Sequence, residues 1–365
     1  MKRLKDVMPV KAITELIIML ILYVLFDQGG VIKYPVSLAL CALYLWLGRK
    51  KKWSLDIMAC VAIPSAVYLL LGSLSSMICA GAQMTTVKVL MYILVPLILA
   101  FSMYAYHGKE MHRNIFVQFI GCVLAYAIFD APTFIKIFRW ESVFAFSFGI
   151  FSLYFFYEKQ WKLFIMAILF MLFAEKRIAI LAVFTGLCVM GMLQFFRYSK
   201  KLATIVWSGA MVAVFGYLYL IYSGIMDAFC WGANINTNGR VEMYSRMANE
   251  FEFSPLFLGK GLGTVEYLLN FWNVERFANL HNDLLKFYIE LGFLGLLIYL
   301  GSYFVMFRLA GKIASDSKVS CLVAVSVYSL FLFATDNVSI YSLYLLPLYS
   351  VLFAVLSSDS PEKQS

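Results

Sequence analysis

The residues of this chain best suited to chemistry sit in four short motifs threaded on one polar loop, from about Gly224 to Asn282. The motifs are Asn238-Gly239-Arg240, Ser254-Pro255, Gly259-Lys260-Gly261-Leu262-Gly263 and His281-Asn282-Asp283. Loops carried on a rigid scaffold host function disproportionately. Asn238-Gly239 is a turn signal. From Arg240 to Phe253 the pattern is helical, with Glu242, Arg246 and Glu250 spaced four apart. Ser254-Pro255 stops it, because the residue before proline avoids helix. The glycine run has two readings: a turn whose backbone N–H groups approach an anion, or a flexible re-entrant turn. Asn282 or Asp283 caps a following helix. His281 then stands at a helix start, as a structural residue or as part of a site. Arg177, in Glu175-Lys176-Arg177, reads as an interfacial anchor reaching the headgroups, and Glu175 as the ion-pair partner of a nearby cation. Asp27, Asp130 and Asp336 read as boundary residues at the ends of apolar spans.

The elements that position these residues follow from composition. The chain has 365 residues, 62% hydrophobic, 17% aromatic and 14% charged. Soluble domains are about 25% charged, so this is an all-α polytopic membrane protein. Its formal charge of +9 is dispersed over short loops, which is topology control and not a nucleic-acid surface. The 7 cysteines show no paired or metal-type spacing, so neither a disulfide framework nor a zinc site is expected. Ile13 to Phe26 has no small-residue cleavage site after it and reads as a retained span.

Apolar runs fall near 10–26, 35–48, 55–77, 87–106, 115–130, 142–157, 162–174, 178–196, 202–223, 290–308, 319–335 and 339–356, giving about twelve transmembrane helices. Merging 162–174 with its successor would make a helix of about 50 Å, longer than a bilayer requires. Glu175-Lys176-Arg177 therefore marks a tight hairpin. With the N-terminus cytoplasmic, most of the 30 Lys and Arg residues fall on the cytoplasmic side, as the positive-inside rule asks. Both termini are then cytoplasmic and the long loop is extracytoplasmic. Lys33, Lys88, Lys136, Arg139, Lys176 and Arg177 belong to the outer minority. The layout is a nine-helix part (1–223), the loop (224–282), a three-helix part (283–356) and a disordered cytoplasmic tail (357–365). Loop aromatics such as Trp231, Tyr244, Phe253 and Phe271 suit the membrane interface.

Gly239-Arg240, Pro255 with Gly259-x-Gly261-x-Gly263, and His281-Asn282-Asp283-Leu284-Leu285 running into Glu290-Leu291-Gly292-Phe293-Leu294-Gly295 resemble the superfamily of O-antigen polymerases and O-antigen ligases. The specific similarity covers about residues 237–296. The family's Ser-x-Ser-Arg hairpin corresponds here to Ala174-Glu175-Lys176-Arg177, which keeps the arginine and lacks the serines. The resemblance implies a fold similar to the GT-C class of lipid-linked-sugar glycosyltransferases. It also implies a polyprenyl-diphosphate-linked oligosaccharide as donor and a sugar hydroxyl as acceptor. On that reading His281 is the base, with Glu290 as alternative base or orienting partner. Arg240 and Arg177 neutralise the leaving diphosphate, for which a planar, permanently charged guanidinium is suited. Arg246, Gly259, Lys260, Gly261, Arg276, Asn282 and Glu290 help bind substrate.

No Asp-x-Asp motif is present and the arginines can replace a divalent cation, so a metal-independent transfer free of cofactors is expected; that it proceeds with inversion is what the resemblance implies. The implied location is the cell membrane, with membrane lipids, a flippase and a chain-length regulator as partners. A polymerase of O-antigen, capsule or exopolysaccharide is favoured, since nothing in the chain points to a lipid A or protein acceptor. A ligase is the alternative. A lipid-linked oligosaccharide flippase is the rival from another class, for which repeat symmetry and midplane charges would be expected; a non-enzymatic assembly scaffold is a further one.

Overall fold

The structure, a computed structural model, describes residues 9–28, 30–79, 84–130, 141–196, 200–234, 239–272 and 280–358. Of the residues named above, Lys136, Arg139, Asn238 and Arg276, with most of the C-terminal tail, lie outside them.

Every described regular element is helical. In chain order the helices are α1 (Pro9–Gln28), α2 (Lys33–Gly48), α3 (Leu55–Cys79), α4 (Met84–His107) and α5 (Met111–Ala125), which runs on into a wider turn, Tyr126–Asp130. Then come α6 (Phe144–Tyr157), α7 (Trp161–Phe173), α8 (Arg177–Phe195) and α9 (Lys200–Tyr222). Among the described residues the long loop carries three short helices, α10 (Ile225–Gly232), α11 (Arg240–Met247) and α12 (Thr264–Phe271). The chain closes with α13 (Asp283–Ile313), α14 (Asp316–Phe333) and α15 (Ser342–Ser357). Each apolar run read from the sequence carries one of these helices. In hydrocarbon a helix satisfies its own backbone, so long apolar runs have little alternative. Among the described residues 6 segments are long and apolar enough to cross a membrane, and α6, α7 and α15 are shorter apolar helices. The chain is a multi-pass membrane protein.

Helices α14 and α15 form the centre and are buried along almost their whole length. Around them α8 packs on α14, α3 on α13, and α4 and α6 on α15. The α7–α8 hairpin is tight, as its spacing requires: Glu175 turns it with φ +48°, and the Ala174 carbonyl accepts from Ser142 N.

Two local expectations change. Helix α11 ends at Met247, one short turn follows, and Phe251 is extended. The helical pattern expected to Phe253 stops there, and Glu250 pairs with Lys260 of the glycine run, Nζ–Oε2 2.7 Å. Helix α13 begins at Asp283, as its cap predicts, but the run expected to be continuous from 290 is interrupted at Gly292 (φ +76°, ψ −179°).

That interruption locks the long loop to the bundle. The break deprives the Ile289 and Glu290 carbonyls of their helical partners, and they accept instead from Lys260 N (2.8 Å) and Gly261 N (3.0 Å). Phe293 N, freed from its own turn, donates to Phe257 O at 2.9 Å. The two backbones are so close that a Cβ on Gly259 would lie 2.4 Å from Gly292 N, and one on Gly292 2.3 Å from Phe257 O. Leu262 N donates to Ser76 Oγ of α3, and Leu262 O accepts from Thr86 Oγ1 of α4, each at 2.8 Å.

Candidate functional site

The positioning of the site begins with Asn282. Its side-chain oxygen accepts from Leu285 N at 3.0 Å and caps α13. Its amide donates to the Tyr217 hydroxyl of α9, also at 3.0 Å. The cap forces His281 into the left-handed region, φ +54°, a strained conformation for a residue with a side chain. Tyr244 of α11 holds it there, donating from its hydroxyl to His281 O at 3.0 Å. Burial pushes the Tyr244 hydroxyl up to about 12 against the opposing pull of Arg240 and its hydrogen-bond partners, so it stays protonated and remains a donor.

The imidazole faces the segment between α14 and α15. His281 Nδ1 lies 3.2 Å from Asp336 Oδ1. The other oxygen, Oδ2, accepts from Lys176 Nζ at 2.9 Å, and Lys176 also lies 3.4 Å from Glu141. Asp336 is 1% exposed while His281 is 32% exposed, so the pair reaches from the interior to an open surface. Burial alone would raise the Asp336 carboxyl. The His281 hydrogen bond, the Lys176 charge and the Asn337 amide outweigh it and hold the carboxyl well below the usual range. An ionised carboxylate only accepts, so the ring hydrogen belongs on Nδ1 and Nε2 is the free acceptor.

Neighbouring carbonyls of the same segment tie in the remaining elements. Arg240 donates to Thr335 O at 3.2 Å, and Tyr217 to Ala334 O at 2.8 Å. Asp283 N donates to Asp336 O at 3.3 Å, while the Asp283 carboxylate accepts from Ser339 N at 2.7 Å and Ser339 Oγ at 2.6 Å. One short turn thus gathers α8, α9, α11 and α13.

The structure brings together His281, Asn282 and Arg240 of the residues singled out from sequence. Arg177 is exposed in the first turn of α8, with no carboxylate paired to it among the described residues, and Arg246 is exposed on α11. Arg276 lies outside the described residues.

Gly259, Lys260, Gly261 and Glu290 belong to a different arrangement. The amides of Lys260, Gly261, Leu262 and Gly263 all donate to protein oxygens. They therefore do not form the anion cradle considered above; the glycines let two backbones meet. The Lys260 ammonium pairs with Glu250. Glu290 is fully buried and accepts from Tyr68 Oη at 2.6 Å and Gly263 N at 2.9 Å, so both its oxygens are engaged away from His281.

Two members of the site went unread in the sequence. Asp336 looked like a boundary residue, and Lys176 was eclipsed by the arginine after it. The available signal was a second carboxylate at a span end on the same membrane face as His281.

No curated protein matches the chain. Residues 162–300 match the family model described as O-Antigen ligase. The matched stretch contains Lys176, Arg177, Tyr217, Arg240, Tyr244, His281 and Asn282, and stops short of Asp336. Over residues 162–300 the chain is therefore similar to the O-antigen ligase family, which supports its resemblance to the O-antigen ligase and polymerase superfamily.

Proposed function

We propose that this protein polymerises a surface polysaccharide, moving a glycan from a polyprenyl diphosphate to a sugar hydroxyl of another lipid-linked unit at the outer leaflet. The observation that carries the reading is the His281–Asp336 pair, which leaves Nε2 free at an exposed edge beside Arg240. Nε2 accepts the proton of the acceptor hydroxyl. The acceptor oxygen bonds to C1 of the donor sugar while the C1–O bond to the diphosphate breaks, with inversion at C1. The diphosphate leaves carrying the bonding pair, and Arg240 and Arg177 compensate its charge. Fixed cations serve where other transferases use a divalent metal, so the transfer is proposed to be metal-independent and free of cofactors. Arg246, Arg276 and Asn282 are proposed to contribute to substrate binding. The GT-C likeness, the twelve crossings, cytoplasmic termini and an extracytoplasmic loop in the inner membrane are part of the same proposal. A flippase and a chain-length regulator are the partners such a reaction calls for.

The description of the matched family favours one second reading: a ligase that moves the finished glycan to a lipid or protein acceptor. Deleting the gene and sizing the surface glycan separates these. A single unpolymerised unit is the expected result. Full-length polymer left on its carrier assigns the ligase. Failure of lipid-linked units to reach the outer face assigns a flippase and overturns the transferase reading.

A further inference from the structure

A second cationic centre lies at the same end of the bundle as the loop, apart from His281. Lys33 opens α2, and Lys88 stands near the start of α4, two residues after the Thr86 that bonds Leu262. Lys33 Nζ lies 5.5 Å from the ring centres of both Tyr34 and Tyr92, and Lys88 Nζ lies 5.8 Å from the Tyr92 ring. Two ammonium groups therefore share one aromatic ring. Among the described residues no carboxylate pairs with either. The ring attracts each cation but leaves their mutual repulsion uncancelled. Ser37, one turn along α2 from Lys33, lies on the buried face formed with Cys41, Tyr44 and Gly48, and its hydroxyl is buried with no hydrogen-bond partner among the described residues.

We propose that Lys33 and Lys88, with Tyr34 and Tyr92 beneath them, bind the phosphate of a membrane lipid at the mouth of the α2–α4 seam. The position selects the ligand. Both lysines mark the level where apolar helix gives way to loop, and the anion abundant at that level is lipid phosphate. Lysine suits a mobile headgroup because its ammonium is a point charge with no fixed fork to satisfy. The lipid is either a bilayer phospholipid or a diphosphate-bearing glycan carrier, which share this chemistry. The site holds whether or not the His281 centre transfers glycans.

The full chain is placed in phosphatidylcholine nanodiscs doped with phosphatidylglycerol, and the lipid retained on release is measured by native mass spectrometry. Wild type should retain phosphatidylglycerol preferentially. The double variant Lys33→Gln/Lys88→Gln should weaken that preference by roughly tenfold or more, given the attraction of each lysine to an anionic surface, and Lys33→Arg/Lys88→Arg should keep most of it. Should the double variant fail to fold, Lys88→Gln alone, at an exposed position, should still lose part of the preference. Equal retention by wild type and the Gln variants overturns the site. Farnesyl diphosphate and inorganic phosphate are then added as competitors. Displacement by farnesyl diphosphate alone assigns the diphosphate carrier, and displacement by neither assigns the phospholipid. Displacement by inorganic phosphate at equal concentration overturns the lipid as ligand.

Discussion

His281 and Lys176 hold opposite oxygens of one buried carboxylate, Asp336, at 3.2 and 2.9 Å. The lysine fixes the carboxylate, and the carboxylate fixes the ring. Replacing Asp336 by Asn keeps the shape but can present an N–H to Nδ1, which favours the wrong tautomer. Asp336→Asn should lower single-turnover transfer by roughly 10²–10⁴-fold with donor binding retained. A wild-type rate would remove Asp336 from the orientation of His281.

Lys176 also steadies the pair. Without its ammonium, one oxygen of the buried Asp336 carboxylate loses its donor, and the carboxylate is no longer fixed for His281. Single-turnover transfer should therefore fall in Lys176→Met, with donor binding retained, and be largely kept in Lys176→Arg. A wild-type rate for the Met variant would remove Lys176 from the orientation of Asp336.

The depressed carboxyl of Asp336 makes stability depend on pH. Its folded value lies below the unfolded value of about 3.9, so its contribution is complete above the ordinary carboxylate range. The contribution falls away as pH drops through the folded value. Thermal unfolding in detergent from pH 7 to pH 3 should show an acid-side loss of Tm that Asp336→Asn flattens. Parallel curves for the two proteins would contradict this.

The guanidinium groups at the site are proposed to meet a diphosphate. Arg240→Ala and Arg177→Ala should abolish polymer or reduce it strongly, with Lys rescuing only in part, because an ammonium does not reproduce a bidentate contact. Polymer length on gels, normalised to expression, checks this. Full activity of either Ala variant would return that arginine to a surface role.

The contact between loop and helix rests on two glycines. Gly292→Ala adds a Cβ 2.3 Å from Phe257 O at φ +76°, combining strain with a backbone clash. A loss of about 3 kcal/mol is expected, seen as poor expression or a lowered Tm. An unchanged Tm would mean that the break in α13 relaxes freely.

The helices were legible because apolar runs of this length have one stable backbone. The turn before Arg240 and the Asn282 cap were legible because turn and cap chemistry are local; the roles of Arg240 and His281 came only from the resemblance. Asp336 was not, because what places it in the candidate site is a partner 55 positions away and no local pattern marks it. The glycine run stayed open between two readings for a related reason. Gly259 and Gly261 are permissive residues in any loop; only the break at Gly292 shows that they accommodate another backbone rather than an anion. Glu290 looked like a spare base because its donors, Tyr68 and Gly263, come from distant parts of the chain.

The break at Gly292 divides α13 into an upper stub and a lower shaft, and the stub shares its hydrogen bonds with the loop. The loop, the stub and the histidine at its tip thus form one inheritable module. A chimera that exchanges loops between relatives should be cut below Gly292, inside the shaft, and carry the matching loop-side ends of α3 and α4. A cut at the helix start would separate the two halves of a single joint.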